Sequence, residues 1–373
     1  MRSIYSVENE ERKIEKRVIG SFAIAIIAVC LFTVCTLVYY DRIVGAGDSF
    51  IAGILDRIEE ARMREQLTEL ELIKYYNERM AKEGDESVEE LGDALKIVKD
   101  SRLGISDIEV TNDYMNRTLT LFFKGEKSSI IDDHPIVGCV NYIDNIKVYS
   151  DDKGLYIEFF TSRIVEPVIE DNGDNIHLVL KEPKELHEHI IVVDAGHGGK
   201  MPGAMMGVLR EKSINLEIVK ELKELLDRDE SIVAYFTRLD DSHVELKDRV
   251  KLANELNADL FLSVHQNSVD IGASTTTGTQ TLYSESQKGD NNSKDFAAII
   301  NKSVLEATGA VDRGLVKGDR IYIIRKAKMP VALCETGFIS NIEEGSKLNS
   351  NSYQKKVARG LYDGIKEAFN EGF

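Results

Sequence analysis

Tryptophan is absent from this 373-residue chain, so any aromatic face offered to a ligand falls to tyrosine and phenylalanine, with Tyr283, Tyr322 and Phe338 as candidates. Basic residues are in the minority, 47 Lys and Arg against 64 Asp and Glu, for a formal net charge of -17. That balance argues against nucleic acid as a partner, because phosphate binding needs clustered Lys and Arg. It also argues against electrostatic adhesion to anionic polymers and leaves shape and hydrogen bonding to carry recognition. Cysteine is scarce. Of the four, Cys30 and Cys35 fall in one apolar segment, and only Cys139 and Cys334 lie outside it. No metal-type spacing or disulfide framework follows from them. Cys334 adjoins Glu335 at the end of a strand-like run; neighbouring strand residues point to opposite faces, so this thiol is expected to be buried and inert, not nucleophilic.

What is present divides the chain. Val18 to Tyr40 is a charge-free apolar run long enough to span a bilayer as a helix. Arg12, Lys13, Lys16 and Arg17 precede it, and Arg42 is the only base close behind. The positive-inside bias therefore expects residues 1–17 as a cytoplasmic tail, 18–40 as an uncleaved transmembrane anchor, and the remainder outside the cell membrane. A cleaved signal peptide, with Val44-Gly45-Ala46 as processing site, is the alternative. Residues 49–99 are charged, nearly free of Gly and Pro and spaced for helix, and are expected to form a juxtamembrane stalk. From 105 to 185 the pattern changes to short β-rich runs, Thr118–Phe123, Ile146–Tyr149, Leu155–Phe160 and Ile176–Leu180, separated by Asn, Asp and Gly turns. A small β domain, a sandwich, is expected there.

Residues 188–373 alternate strand-like and helix-like segments, the pattern of an α/β fold with a doubly wound, mostly parallel sheet. Ile190–Val193, Leu260–Val264 and Val331–Cys334 are continuous apolar runs, as buried parallel strands require. Ile214, Ile218, Leu222 and Leu225 share one helical face, as do Leu246, Val250, Ala253 and Leu256, and then Val357, Leu361, Ile365 and Phe369. Open α/β sheets place ligands at the carboxyl ends of their strands. There, or at the start of a helical run, stand His197 in HIIVVDAGHGG, Glu211 in GVLREKSINL, His265 in ADLFLSVHQNS and Glu335 in MPVALCETGFISN. Two imidazoles and two carboxylates on one sheet edge suggest a hydrolytic zinc centre: three ligands, an open position for water, and one carboxylate left for proton transfer.

The motifs DAGHGG, PGA, EKSINL, FTRLDD, DRVKLAN, ADLFLSVHQNS, GTQTLYSE, RGL and CETGFISN occur in order over about half the chain. On them the segment from Ile190 to Phe373 resembles the zinc-dependent N-acetylmuramoyl-L-alanine amidases of peptidoglycan turnover. The resemblance implies Zn2+ held by His197, Glu211 and His265, with Glu335 as the catalytic acid/base. It implies hydrolysis of the amide between N-acetylmuramic acid and L-alanine, with peptidoglycan as substrate and an extracytoplasmic catalytic domain. The β-rich domain resembles modules that localise some of these enzymes to the envelope. A catalytically silent wall-binding or regulatory module, and a zinc peptidase acting within the stem peptide, are the alternatives. Asp194 is expected either to orient a ligand imidazole or to cap its turn. Arg238, Arg249 and Asn254 read as surface salt bridges and helix-end hydrogen bonds, and Ser268 to Gly278 as a flexible loop beside the groove. Any activator is unidentified; the short span from His265 to Glu335 leaves little room for an inserted plugging helix, so constitutive activity is expected.

Overall fold

The computed structural model describes residues 50–373 apart from 52–53, 56, 60–61, 65, 84–86, 270–274 and 288. The expected anchor, 18–40, and cytoplasmic tail, 1–17, lie outside the described residues. Among those described, no helix is long and apolar enough to cross a membrane. Met1–Thr68 and Glu69–Phe373 are separate units.

The amino-terminal part of the second unit is built from eight strands: β1 (Ala94–Val98), β2 (Ile108–Asp113), β3 (Thr118–Lys124), β4 (Val137–Gly138), β5 (Ile143–Ser150), β6 (Gly154–Thr161), β7 (Glu166–Asp171) and β8 (Asn175–Lys181). They form two antiparallel four-stranded sheets, ordered β4-β1-β8-β7 and β2-β3-β6-β5. Alternation decides the packing: Leu119, Leu121 and Phe123 of β3, Leu155, Ile157 and Phe159 of β6, and Ile176 and Leu178 of β8 turn into one shared core. The expected stalk over 49–99 is not what the structure shows at its carboxyl end. Helix α1 (Glu69–Lys82) buries Leu72, Ile73 and Tyr76, Ile73 joins that core, and β1 supplies Leu95 and Ile97 from inside a sheet. The charged faces of both segments hide this in the sequence, because the apolar residues that anchor them number only two or three each.

The carboxyl-terminal part of the same unit holds a six-stranded sheet of β9 (Ile190–Ala195), β12 (Val233–Phe236), β13 (Leu260–Asn267), β14 (Thr279–Tyr283), β15 (Asp312–Lys317) and β16 (Val331–Phe338), with a small hairpin of β10 (Met205–Met206) and β11 (Leu209–Arg210). The order is β12-β9-β13-β16-β14-β15. Pairing is parallel except where β14 meets β16, so the sheet is mixed. Helices α2 (Glu211–Leu226), α4 (Ser293–Thr308) and α5 (Asn351–Asn370) cover one face with Ile191, Val193, Leu262, Val264 and Cys334 beneath them. Helix α3 (Leu246–Glu255) and the short helix Tyr322–Lys326 cover the other over Ile190, Val192, Phe261, Val331 and Leu333. Burial on both faces is why these strands read as unbroken apolar runs.

The β-rich part sits against edge strand β12. At the tip of the β2–β3 hairpin the Tyr114 hydroxyl accepts from Phe236 N at 2.9 Å and donates to Phe236 O at 3.0 Å, closing a strand edge that has no partner strand among the described residues. Arg117 holds both Glu255 carboxylate oxygens at 2.7 Å, Tyr235 bonds Glu166, and Lys184 bonds Asp259.

Candidate metal centre

His197 lies two residues beyond β9, in a loop that bends back through left-handed backbone, with φ of 63° at His197 itself. Glu211 opens α2, where a carboxylate meets the positive end of the helix dipole. His265 sits near the end of β13 and Glu335 pairs with it in β16. The structure brings the first three together: ligand atoms of His197, Glu211 and His265 all lie within 4.8 Å of one another. Glu211 Oε2 is 3.1 Å from His197 Nε2, and Glu211 Oε1 is 2.8 Å from His265 Nδ1. The same oxygens accept from Ala204 N at 2.7 Å and Gln266 N at 3.1 Å.

Two glycines keep this space open. A Cβ on Gly203, whose φ is 67°, would stand 2.4 Å from Glu211 Oε2, and one on Gly196 would stand 2.3 Å from His265 Nε2. Burial alone would push the Glu211 carboxyl up, but the two imidazoles outweigh it and hold the group well below the usual carboxylate range. For His265 burial acts downward, and the Glu211 carboxylate overrides it to raise the imidazole. Glu335 differs. Its Oε2 is buried with no hydrogen-bond partner among the described residues, and burial pushes its carboxyl up to about 7, with His265 acting downward and Glu211 upward. Two imidazole nitrogens, one ionised carboxylate and an unpaired buried oxygen beside them are a donor set suited to a divalent ion such as zinc.

The loop carrying His197 hangs on two arginines that sequence reading assigned to the surface. Arg249 and Arg238 are 2% and 4% exposed. Arg249 donates to Asp194 Oδ1 at 2.5 Å, Ala195 O at 2.8 Å and His197 O at 2.7 Å, and also to Val244 O. Arg238 donates to Ala195 O at 2.8 Å and to Gly196 O and Lys212 O at 2.9 Å. A loop that doubles back in left-handed backbone carries the Gly196 and His197 carbonyls away from the sheet, and the guanidinium forks satisfy them. Asp194 bonds neither imidazole: it accepts from Thr237 Oγ1 and Ser263 Oγ, each at 2.6 Å, and from Arg249. Against the opposing push of burial, Arg249 and the two hydroxyls hold its carboxyl below its ordinary value. Asn254 does tie helix end to loop, through Lys326 O and Lys328 N.

Sequence reading did not single out Asn215. It is fully buried one turn after Glu211, donates to Gly196 O at 3.1 Å and accepts from Gln266 Nε2 at 3.1 Å, while Gln266 Oε1 accepts from Thr336 Oγ1 at 2.7 Å. The signal was its i+4 spacing from Glu211, which puts both side chains on one helix face. Cys334 is buried on the opposite sheet face from Glu335, and burial pushes its thiol up to about 12. The Ser268 to Gly278 loop falls partly outside the described residues.

Residues 191–367 match the sequence profile of the family described as N-acetylmuramoyl-L-alanine amidase. The sporulation-specific N-acetylmuramoyl-L-alanine amidase of Bacillus subtilis (strain 168) is 34% identical over 192 residues, which cover 48% of this chain and 68% of that protein. The chain belongs to this amidase family. Uncharacterized protein YqiI of the same organism is 35% identical over 48% of this chain and 85% of its own length. Among solved structures, the catalytic domain of CwlV, an N-acetylmuramoyl-L-alanine amidase from Bacillus (Paenibacillus) polymyxa var. colistinus, is 38% identical, with a TM-score of 0.46, over 49% of this chain and 98% of that one. Residues before 191 lie outside the family match, so the β-rich part is additional to the amidase domain.

Proposed function

We propose that this amidase hydrolyses the bond between the lactyl group of N-acetylmuramic acid and L-alanine in peptidoglycan, with His197, Glu211 and His265 holding a zinc ion. One observation carries the reading: three ligand atoms converge within 4.8 Å beside a buried Glu335 oxygen that has no hydrogen-bond partner among the described residues. When bound, the ion would supply Lewis acidity, polarising the amide carbonyl and acidifying water. The remaining work belongs to the chain. Ionised Glu335 takes a proton from the attacking water; protonated, it returns that proton to the departing alanine nitrogen as the C–N bond breaks. A carboxyl brought near 7 by burial is matched to both halves of that transfer. Glu211 stays anionic throughout, held so by its imidazole neighbours. Arg249 and Arg238 fix the His197 backbone, which sets where its Nε2 points.

Location follows from the sequence alone: residues 18–40 as anchor place the amidase domain outside the cell membrane, and the β-rich part, docked on β12, serves to hold the enzyme at the envelope. Purified peptidoglycan digested with the zinc-loaded protein is expected to yield peptides with a free L-alanine amino terminus and intact glycan chains, as read by mass spectrometry. Peptides cut internally would assign a peptidase instead, and no release at all would assign a silent wall-binding module.

A further inference from the structure

Residues paired across a sheet share a face, and the pairings carry the Glu335 face outward toward the sheet edge. His265 pairs with Glu335, and Glu335 with Gln280. A register shift between His265 and Asn267 then sets Asn267 opposite Phe338, and Asn267 Nδ2 donates to Gln280 Oε1 at 3.2 Å, so all five residues lie on that one face. At its outer end the Arg313 guanidinium stacks over the Phe338 ring, 5.1 Å from the centroid, while its Nε donates to Thr277 O. Stack and bond fix the plane of the fork. Its η nitrogens have no partner among the described residues, and the adjacent Asp312 is engaged with Asn301 Nδ2 and Gly314 N. In a chain of net charge -17, an exposed, oriented guanidinium with unpaired η nitrogens, on the same face as the Glu335 carboxylate, is a carboxylate receptor.

We propose that Arg313 binds a free carboxylate on the peptide side of the substrate, a specificity contact that rests on the amidase reading above. Glu335 and Arg313 are separated by strand β14, two strand spacings or about 10 Å. An extended peptide advances about 3.3–3.6 Å per residue. The receptor therefore meets a carboxylate on the second or third residue from the scissile amide. A substrate in which that group is a primary amide offers a donor to a donor, and binds less well.

Two pairs of synthetic N-acetylmuramoyl peptides, identical within a pair except for a free carboxylate or its primary amide on the second residue in one pair and on the third in the other, test this with the zinc-loaded protein. Wild type is expected to show, in one pair, a KM about tenfold lower for the carboxylate, the worth of one charge-assisted bond at a solvent-facing site, with kcat within about twofold. Arg313→Gln should erase that preference and leave the amide peptide unaffected; Arg313→Lys, which keeps charge without the fork, should restore part of it. Equal KM within both pairs in wild type overturns the assignment without recourse to any variant, as does an equal loss on carboxylate and amide peptides in a normally melting Arg313→Gln protein. Cleavage of none of the peptides by wild type is distinguishable from these, since it overturns the amidase reading and this contact with it.

Discussion

Arg249→Met removes the guanidinium that links the His197 loop to Asp194. The arginine and its aspartate partner are 2% and 1% exposed, so the change leaves a buried carboxylate without its counter-charge and takes the guanidinium donor from the His197 carbonyl, while Arg238 still serves Ala195 O. Breaking such a pair from one side costs about 3–5 kcal/mol. For a domain of this size, at about 2–4 °C per kcal/mol, the metal-free variant melts about 6–20 °C below wild type. Combining it with Asp194→Asn removes the stranded charge, so the double variant should lose at least about 1 kcal/mol less than the two single losses added. The loss also depends on pH. In wild type the Asp194 carboxyl lies below its unfolded value; its contribution is complete above that value, about 3.9, and is lost as pH falls through the depressed folded value. Without Arg249, burial is left to dominate and raises the folded value, so the gap between variant and wild type widens as pH climbs from about 4 toward neutrality. Denaturant unfolding in chelator across pH 3–8 measures it. A loss under about 1 kcal/mol, or a gap independent of pH, would refute the assignment of this pair as a buried clamp.

Other outcomes rest on the same kind of contact. Tyr114→Phe removes the hydroxyl that closes the edge of β12 at Phe236; unfolding should show a loss of about 1–2 kcal/mol, with faster hydrogen exchange at the Phe236 amide and unaltered peptidoglycan digestion. Cys334→Ala should digest peptidoglycan within about twofold of wild type, and the native thiol should resist alkylation until the protein unfolds, because a buried sulfhydryl raised to about 12 is not a nucleophile. Labelling of Cys334 in the folded protein would contradict its placement.

Much of the candidate site was visible in the sequence because its chemistry interrupts strong patterns. His265 and Glu335 end runs whose burial on two sheet faces forbids alternation, and a polar group there stands out. Glu211 opens a helix whose Ile214, Ile218 and Leu222 mark its buried face. The supporting shell was not visible. Arg238 and Arg249 sit among charged neighbours in FTRLDD and DRVKLAN, and only the left-handed turn at His197, fixed by contacts far apart in sequence, creates the carbonyls they serve. Likewise the antiparallel entry of β14 depends on long-range register. In the β-rich part, alternation showed the strands of the core; the helix at α1 was expected, but as part of a stalk, and its packing on that core was hidden by its charged outer face, while β1 was missed because it carries only a short apolar set.

The central claim, a metal held by His197, Glu211 and His265 with Glu335 as the proton carrier beside it, is tested most directly in Glu335→Gln. The amide keeps the side chain's shape and touches none of the three ligands by hydrogen bond. Zinc content by elemental analysis, measured alongside peptidoglycan digestion, should show about one ion retained per chain and turnover reduced by about a hundredfold to ten-thousandfold, the range attributed to a positioned acid/base. Loss of the metal together with activity, or digestion within about tenfold of wild type, would contradict the account.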